Sequence, residues 1–222
     1  QDSLLRGLFM TSWLVEDFMQ TSNLFEAEIC LITSASSKTS IALAHCVKQR
    51  GKLQSIGITS PGNIAFCESL GCYDRVISYQ DIAQLDAAKA AIVVDMAGNA
   101  KVISQLHHHY ADKMMHSCRI GATHHSEMGS VDGLPGAVPQ FFFAPSHVRA
   151  RSAELGAQEL MQLLSIDYAG FRRFCDSWLQ VVPSYGAEAT DKIFQAVLAG
   201  RADPVAGQIV SLSAHGERAK TQ

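Results

Sequence analysis

The chain has 222 residues, 47% of them hydrophobic, and a formal net charge of −3, enough to bury a substantial core in one large domain or one domain with an appendage. Its Lys and Arg residues are scattered and no acidic tail is present, which argues against nucleic acid or a membrane surface as partner and favours a small soluble ligand. No apolar run approaches the ~20 residues that span a bilayer, and the N-terminus lacks a basic-then-apolar signal pattern. Six dispersed cysteines without a C-x-x-C pair read as reduced core residues of a cytoplasmic protein. The chain does not begin with Met, and the expectation is that it is part of something longer.

Residues 2–20 place Leu4, Leu5, Leu8, Phe9, Trp13, Val15 and Phe18 at mostly helical spacing, predicting a packed first helix. "EICLIT" (28–33) is a continuous apolar run of buried-strand type, followed by a helix over 38–51 that Gly51 stops. A strand over 53–58, a short helix between Pro61 and Gly71, and a strand over 75–79 come next. "AAIVVDMAG" (90–98) is the fourth strand, 99–113 a helix and 117–123 the fifth strand. This alternation predicts an α/β fold, a Rossmann-type doubly wound parallel sheet of about six strands with ligands beyond the strand C-termini. After a Gly/Pro-rich loop (129–139), "QFFFAP" (140–145) supplies the sixth strand. Extra C-terminal helices follow at about 146–164, 167–181 and 187–199, separated by Asp167, by Pro183 to Gly186, and by the turn "GRADP" (200–204). A last strand over 207–212 and a frayed tail at 213–222 close the chain. The expected domain is therefore 1–212, with a helical insertion at about 146–186.

The turn in "LITSASSKTSIALAH" (31–45) admits more than one reading. A phosphate P-loop needs G-x-x-x-x-G-K-[ST]; Lys38 and Thr39 are present, but Ile32 and Ser37 stand at the glycine positions. Asp95 at the end of the fourth strand, with Gly98 three residues on, is what a magnesium-dependent nucleotide hydrolase would carry. A dinucleotide fingerprint needs G-x-G-x-x-G, and Ser34, Ser36 and Thr39 fall on its glycines. Small hydroxyl residues keep such a turn compact, and the following helix still offers unpaired N–H groups and its positive end to a diphosphate. A third reading is a Ser-rich helix cap with no ligand.

Downstream segments resemble the medium-chain dehydrogenase/reductase superfamily, in particular its zinc-free quinone oxidoreductase branch. "CESLGCYDRVISYQD" (67–81) is similar to a segment where a helix ends at Leu-Gly and a short Val-Ile strand leads to Tyr. "ATDKIFQAVLAGRADPVAGQIVSL" (189–212) resembles the C-terminal signature of a helix, a Gly turn and a Gly-Lys-x-Val-Leu strand. "LLRGLFMTSWLVEDFM" with "SASSKT" further suggests an uncharacterised subgroup, known chiefly as a domain of unknown function. The resemblance implies that Ser34, Ser36, Ser37, Lys38 and Thr39 face a pyrophosphate. It places Thr59 and Ser60 where an NAD enzyme carries a carboxylate for the ribose, and Asn63 and Tyr79 where relatives bind a 2′-phosphate. NADP(H) is thereby favoured over NAD(H). It also sets Ala97 with Gly98, and Gly121 with Ala122 and Thr123, along the nicotinamide end. Zinc or another metal is not implied.

His124 and His125 follow the fifth strand on the ligand edge and are the candidates for proton donation to a substrate carbonyl. His107, His108 and His109 end a helix, where protonated imidazoles suit the negative dipole end and water. Arg149, Arg151, Arg172 and Arg173 read as helix-face charges. Phe141 to Phe143 read as a buried strand, with a homodimer possible through strand 140–145, since the superfamily often pairs its sixth strands. The superfamily's N-terminal GroES-like barrel has no counterpart in this sequence. The expectation is the NADP(H) domain of a zinc-independent oxidoreductase that passes hydride to a small carbonyl or enone. The alternatives are a P-loop-like nucleotide hydrolase and a catalytically inactive Rossmann scaffold.

Overall fold

The computed structural model describes residues 2–96, 98–120 and 133–212. A first helix, α1 (Asp2–Thr21), leads into β1 (Ile29–Thr33), α2 (Lys38–Arg50), β2 (Gln54–Thr59), α3 (Ile64–Ser69) and β3 (Arg75–Ser78). β4 (Ala91–Asp95), α4 (Ala100–Tyr110), β5 (Met114–Arg119) and β6 (Gln140–Phe141) complete a six-stranded sheet ordered β3-β2-β1-β4-β5-β6. Every pairing in it is parallel. This is the expected doubly wound sheet, and its order reverses between β1 and β4, the place where such sheets open a ligand crevice.

β1 and β4 lie at the centre and are buried at all five positions, which is why their sequences are unbroken apolar runs rather than alternating ones. One face of the sheet packs on α1, α2 and α6 (Ala157–Cys175), where Phe9 stacks on Phe171 at 5.0 Å and meets Tyr168 at 5.4 Å. The other face packs on α4 through Val102, Ile103 and Leu106. Among the described residues no helix is long and apolar enough to cross a membrane. All six cysteines are buried and unbridged.

The C-terminal third departs from the sequence expectation. The helical run breaks at Gly156 (φ 87) between α5 (Ala144–Leu155) and α6, not at Asp167. Asp167 stays inside α6, where its carboxylate accepts a 2.7 Å hydrogen bond from the Trp13 indole. Residues 180–185 form a strand, β7 (Gln180–Tyr185), rather than a helix end and a loop. β7 pairs in parallel with β8 (Ala206–Ser211), around α7 (Ala187–Leu198), as a separate two-stranded sheet. The β-branched pair Val181 and Val182 suits extended backbone, and a strand with only one paired edge tolerates Pro183.

Other local expectations change as well. β5 begins at Met114, and β6 is two residues long, because Phe143 already caps α5. Phe141 and Phe143 are 66% and 56% exposed, not buried. Arg151 is drawn into an ion pair with Asp17 of α1 at 2.7 Å, and His147 reaches the same carboxylate at 2.8 Å.

His107 is fully buried rather than hydrated. Its Nδ1 lies 2.8 Å from the Pro135 carbonyl and its Nε2 2.9 Å from the Ser117 hydroxyl. The carbonyl can only accept, so Nδ1 carries the proton and Nε2 accepts from Ser117 in the neutral ring. Burial lowers the pKa of His107, in keeping with that neutral form.

The link from α1 to β1 is strained. Asn23, Leu24, Phe25 and Glu26 all hold positive φ, between 50° and 58°, at roughly 1 kcal/mol or more per residue. An offsetting contact is the Phe25 ring, stacked on His116 at 4.0 Å and 2°.

Burial pushes the His116 imidazole down to about 4 from an ordinary 6.5. The unfolded chain therefore binds a proton at His116 more readily than the native one, so its contribution is complete above pH 6.5 and is lost as pH falls toward 4. The loss is on the order of 3 kcal/mol, with His107 adding to it in the same direction. Urea unfolding at pH 7.5 and 4.5 should show this drop, and His116→Phe should flatten it; an equal drop in the variant would remove His116 as its source.

Candidate functional site

Four residues, Ser34 to Ser37, join β1 to α2 at the switch point of the sheet. Ser34 adopts φ 51, the left-handed backbone for which a dinucleotide turn uses glycine. Its N–H donates to the Tyr79 hydroxyl at 3.1 Å. Ala35 then folds inward: its N–H donates to the Ile58 carbonyl at 3.1 Å and its carbonyl accepts from the Tyr73 hydroxyl at 2.8 Å. Opposite stands Gly57 of β2, where a Cβ would lie 2.9 Å from the Ala35 Cβ and 2.9 Å from the Tyr73 ring. The close approach between turn and sheet is thus made by a glycine on the neighbouring strand.

Ser37 caps α2. Its Oγ accepts from the Ser40 N–H at 3.1 Å and its own N–H donates to the Ser34 carbonyl at 2.7 Å. Ser40 in turn donates to the Thr33 carbonyl at 2.8 Å. With these groups satisfied, the N–H groups of Ser36, Lys38 and Thr39 have no hydrogen-bond partner among the described residues. Orphan amides at the positive end of a helix form an anion site. A P-loop geometry is not present: Ile32 lies within β1, and four residues are too few for the phosphate-wrapping loop of that motif.

Asp95 anchors the crevice from β4. It accepts from the Thr33 hydroxyl at 2.8 Å and from the Gly98 N–H at 3.0 Å, so its carboxylate ties the ends of the two central strands together.

A cleft of about 500 Å³ opens beside the turn. Ser36, Lys38, Asn63, Arg201, Asp203 and Gln208 line its polar side. Leu4, Ile193 and Val197 give it an apolar wall. Thr59, at the end of β2, is buried and Ser60 exposed. No carboxylate stands at the end of β2, where it would accept from a ribose hydroxyl. Asn63 donates from Nδ2 to the Ser36 hydroxyl at 3.0 Å and the Ser60 hydroxyl at 3.1 Å. The Lys38 ammonium turns across the cleft to the Pro204 carbonyl at 3.2 Å. Burial lowers its pKa and nearby Asp203 partly opposes the shift.

The structure therefore gathers Ser36, Ser37, Lys38 and Asn63 along one cleft; Thr59 donates to the Ser36 hydroxyl at 3.5 Å, and Thr39 lies in the first turn of α2 without lining the cleft. Tyr79 sits on the other side of the turn between β1 and α2, holding Ser34. Ala97, Gly121, Thr123, His124 and His125 lie outside the described residues. Arg201 and Gln208 enter the site without a sequence signal, since "GRADP" reads as a helix terminator and Gln208 as a strand residue.

A second cleft of about 500 Å³ lies between α1, α2 and α6, lined by Glu16, His45, Arg50 and Asp167. It borders the C-terminal half of α2, away from the strand ends, and Glu16 and Arg50 pair within it at 3.0 Å.

Residues 1–203 match the model of a family described as "Protein of unknown function (DUF2855)". No curated protein matches the chain. Among solved structures, the yhdH oxidoreductase from Salmonella enterica in complex with NADP is similar at 14% identity and TM-score 0.59, over 87% of this chain and 58% of that one. CurA from Vibrio vulnificus in complex with NADPH is similar at 13% and 0.58, over 92% and 62%. A putative NADPH:quinone reductase from Mesorhizobium loti is similar at 13% and 0.54, over 79% and 52%. At such identities the likeness is one of fold, and the chain spans less than two thirds of the length of each.

The Gly57 contact is open to test. Gly57→Ala should lower the urea midpoint without changing the slope, at a cost of about 1–3 kcal/mol from overpacking against Ala35 and Tyr73. An unchanged midpoint would mean that the turn is not held against β2.

Proposed function

We propose that this chain, which belongs to the DUF2855 family of proteins of unknown function, is the NADP(H)-binding part of a zinc-independent oxidoreductase of the medium-chain dehydrogenase/reductase type. The observation that carries this reading is the set of unpaired amides of Ser36, Lys38 and Thr39 at the N-terminus of α2, at the switch point of a 3-2-1-4-5-6 sheet. A pyrophosphate bound there accepts from these N–H groups and from the hydroxyls of Ser36 and Thr39. Thr59 and Ser60 at the end of β2, in place of a carboxylate, support NADP(H) over NAD(H), because no acidic side chain of that strand end repels a 2′-phosphate. Two structures of the same fold were obtained with NADP or NADPH bound, which supports the same choice.

The residues present fit a dinucleotide. Gly57 lets the turn lie low against β2, and Ser34 takes the left-handed backbone that the turn requires. The bound cofactor would supply hydride, and the substrate class proposed is a small carbonyl or enone, as in quinone or enoyl reductases. The chain's own residues hold the diphosphate, fix the turn and line the adenosine side of the cleft. His124 and His125 are the proposed proton donors.

Val181, Tyr185, Phe194, Val197, Leu198, Ile209 and Val210 are exposed on β7, β8 and α7, which supports a further domain packing against this part of the chain in the whole protein. Exposed Phe141 and Phe143 beside β6, the last strand of the sheet among the described residues, support the expected pairing of two copies there.

Titrating the chain with NADPH, NADH and Mg·ATP, read by ligand fluorescence and thermal shift, tests the reading. NADPH should bind and raise the melting temperature, and Mg·ATP should not. Binding of ATP alone overturns the proposal in favour of a nucleotide hydrolase, and binding of nothing favours the scaffold reading.

A further inference from the structure

The cleft between α1, α2 and α6 shares no lining residue with the cleft beside the β1 to α2 turn, and the proposed function leaves it unused. Its volume of about 500 Å³ is that of a small-molecule site. Phe9 and Trp13 form a closely packed floor. Charged and imidazole groups come from all three helices: Glu16 of α1, His45 and Arg50 of α2, Asp167 and Arg173 of α6.

Two of these groups neutralise each other. Glu16 Oε2 accepts from Arg50 Nε at 3.0 Å and Oε1 accepts from Gln20 Nε2 at 2.7 Å, so both oxygens of that buried carboxylate are occupied. The others are not. Asp167 Oδ2 accepts from the Trp13 indole at 2.7 Å, but Oδ1 has no partner among the described residues. The exposed Arg173 side chain makes neither an ion pair nor a hydrogen bond among them.

His45 touches Phe171 and Phe174 through its ring. Neither of its ring nitrogens is hydrogen-bonded, and neither is sealed from the surface. Burial lowers its pKa and the charge of Asp167 partly opposes the shift, so at neutral pH the ring carries one donor and one acceptor nitrogen. Asp167 is thus close enough to act on the imidazole electrostatically, yet no hydrogen bond joins the two.

Gly170 supplies an independent sign that the space is kept open. It lies inside α6, a helix of 19 residues, where glycine is less favourable than alanine. Its φ is not positive, and a Cβ built on it would meet nothing within 4 Å. Neither backbone conformation nor close packing within the chain calls for glycine there. The room that a side chain would take belongs to the cleft.

The unspent groups are therefore one carboxylate oxygen, one guanidinium and one neutral imidazole. A ligand with a single ammonium and a single carboxylate matches them, the ammonium donating to Asp167 and to the acceptor nitrogen of His45, the carboxylate accepting from Arg173. A wholly anionic ligand would set its charge beside Asp167, and a wholly cationic one would set its charge beside Arg173. We propose that the cleft between α1, α2 and α6 is a second binding site, for a free amino acid, held by Asp167, His45 and Arg173. This does not rest on the dinucleotide reading.

Isothermal titration calorimetry and thermal shift with the proteinogenic L-amino acids, each in turn, test it. At least one should bind and raise the melting temperature, and its N-acetyl derivative and its decarboxylated amine should each bind about tenfold or more weakly. Asp167→Asn keeps an acceptor for the Trp13 indole and Arg173→Gln alters an exposed group, so both should match the unaltered chain in thermal midpoint without ligand. Each should lose about tenfold or more in affinity for the amino acid, and Gly170→Leu should abolish binding by filling the cleft. If no amino acid binds, the proposal falls. Equal binding of the N-acetyl derivative or of the amine overturns it, as does unchanged affinity in Asp167→Asn and Arg173→Gln. No nucleotide enters these titrations, so their outcome is separate from that of the NADPH titration.

Discussion

The contact on which the site depends is that between Ala35 and Gly57. A helix N-terminus becomes an anion site only if its first amides are bare and the preceding turn does not stand in front of them. Here the turn is pulled back onto β2 by the Ala35 to Ile58 and Tyr73 to Ala35 hydrogen bonds, and the space it enters exists because residue 57 has no side chain. A dinucleotide fingerprint keeps its glycines in the turn. This chain accepts a serine in left-handed backbone at position 34 and places the necessary glycine one strand away. The hydroxyl and amide of Ser34 then meet Tyr79, which offsets part of the cost of the unfavourable backbone.

Much of the fold is written locally and is therefore legible. β1 and β4 are apolar at every position because both faces of the sheet are covered, and Gly51 (φ 64) ends α2 in the left-handed backbone. What the sequence hides is decided by distant partners. Asp167 looks like a helix breaker until Trp13, from the first helix, is seen donating to it. β7 looks like the tail of α6 because its pairing partner β8 arrives only after another helix and turn. His107 looks like a hydrated helix end, yet Pro135 and Ser117 close over it.

The same division holds for the site. "SASSKT" is visible as a strand-to-helix turn, and its hydroxyls can be read as caps or as donors. Its Lys-Thr pair points toward a P-loop, whereas the lysine reaches sideways to Pro204. Arg201 carries no signal at all, since only the return of the chain through α7 brings residue 201 to the same cleft as Ser36 and Asn63.

That return has an energetic consequence. A two-stranded sheet is marginal by itself, and β7 with β8 exposes Val181, Tyr185, Ile209 and Val210 to solvent. One of its ties to the main sheet is the Lys38 to Pro204 hydrogen bond, made at the mouth of the cleft. A ligand that bridges the amides of α2 and the turn at residues 200–204 touches both units at once. Binding free energy drawn from both walls then appears in part as stabilisation of the docked arrangement. The position of the smaller sheet and the occupancy of the cleft would then be linked through that turn.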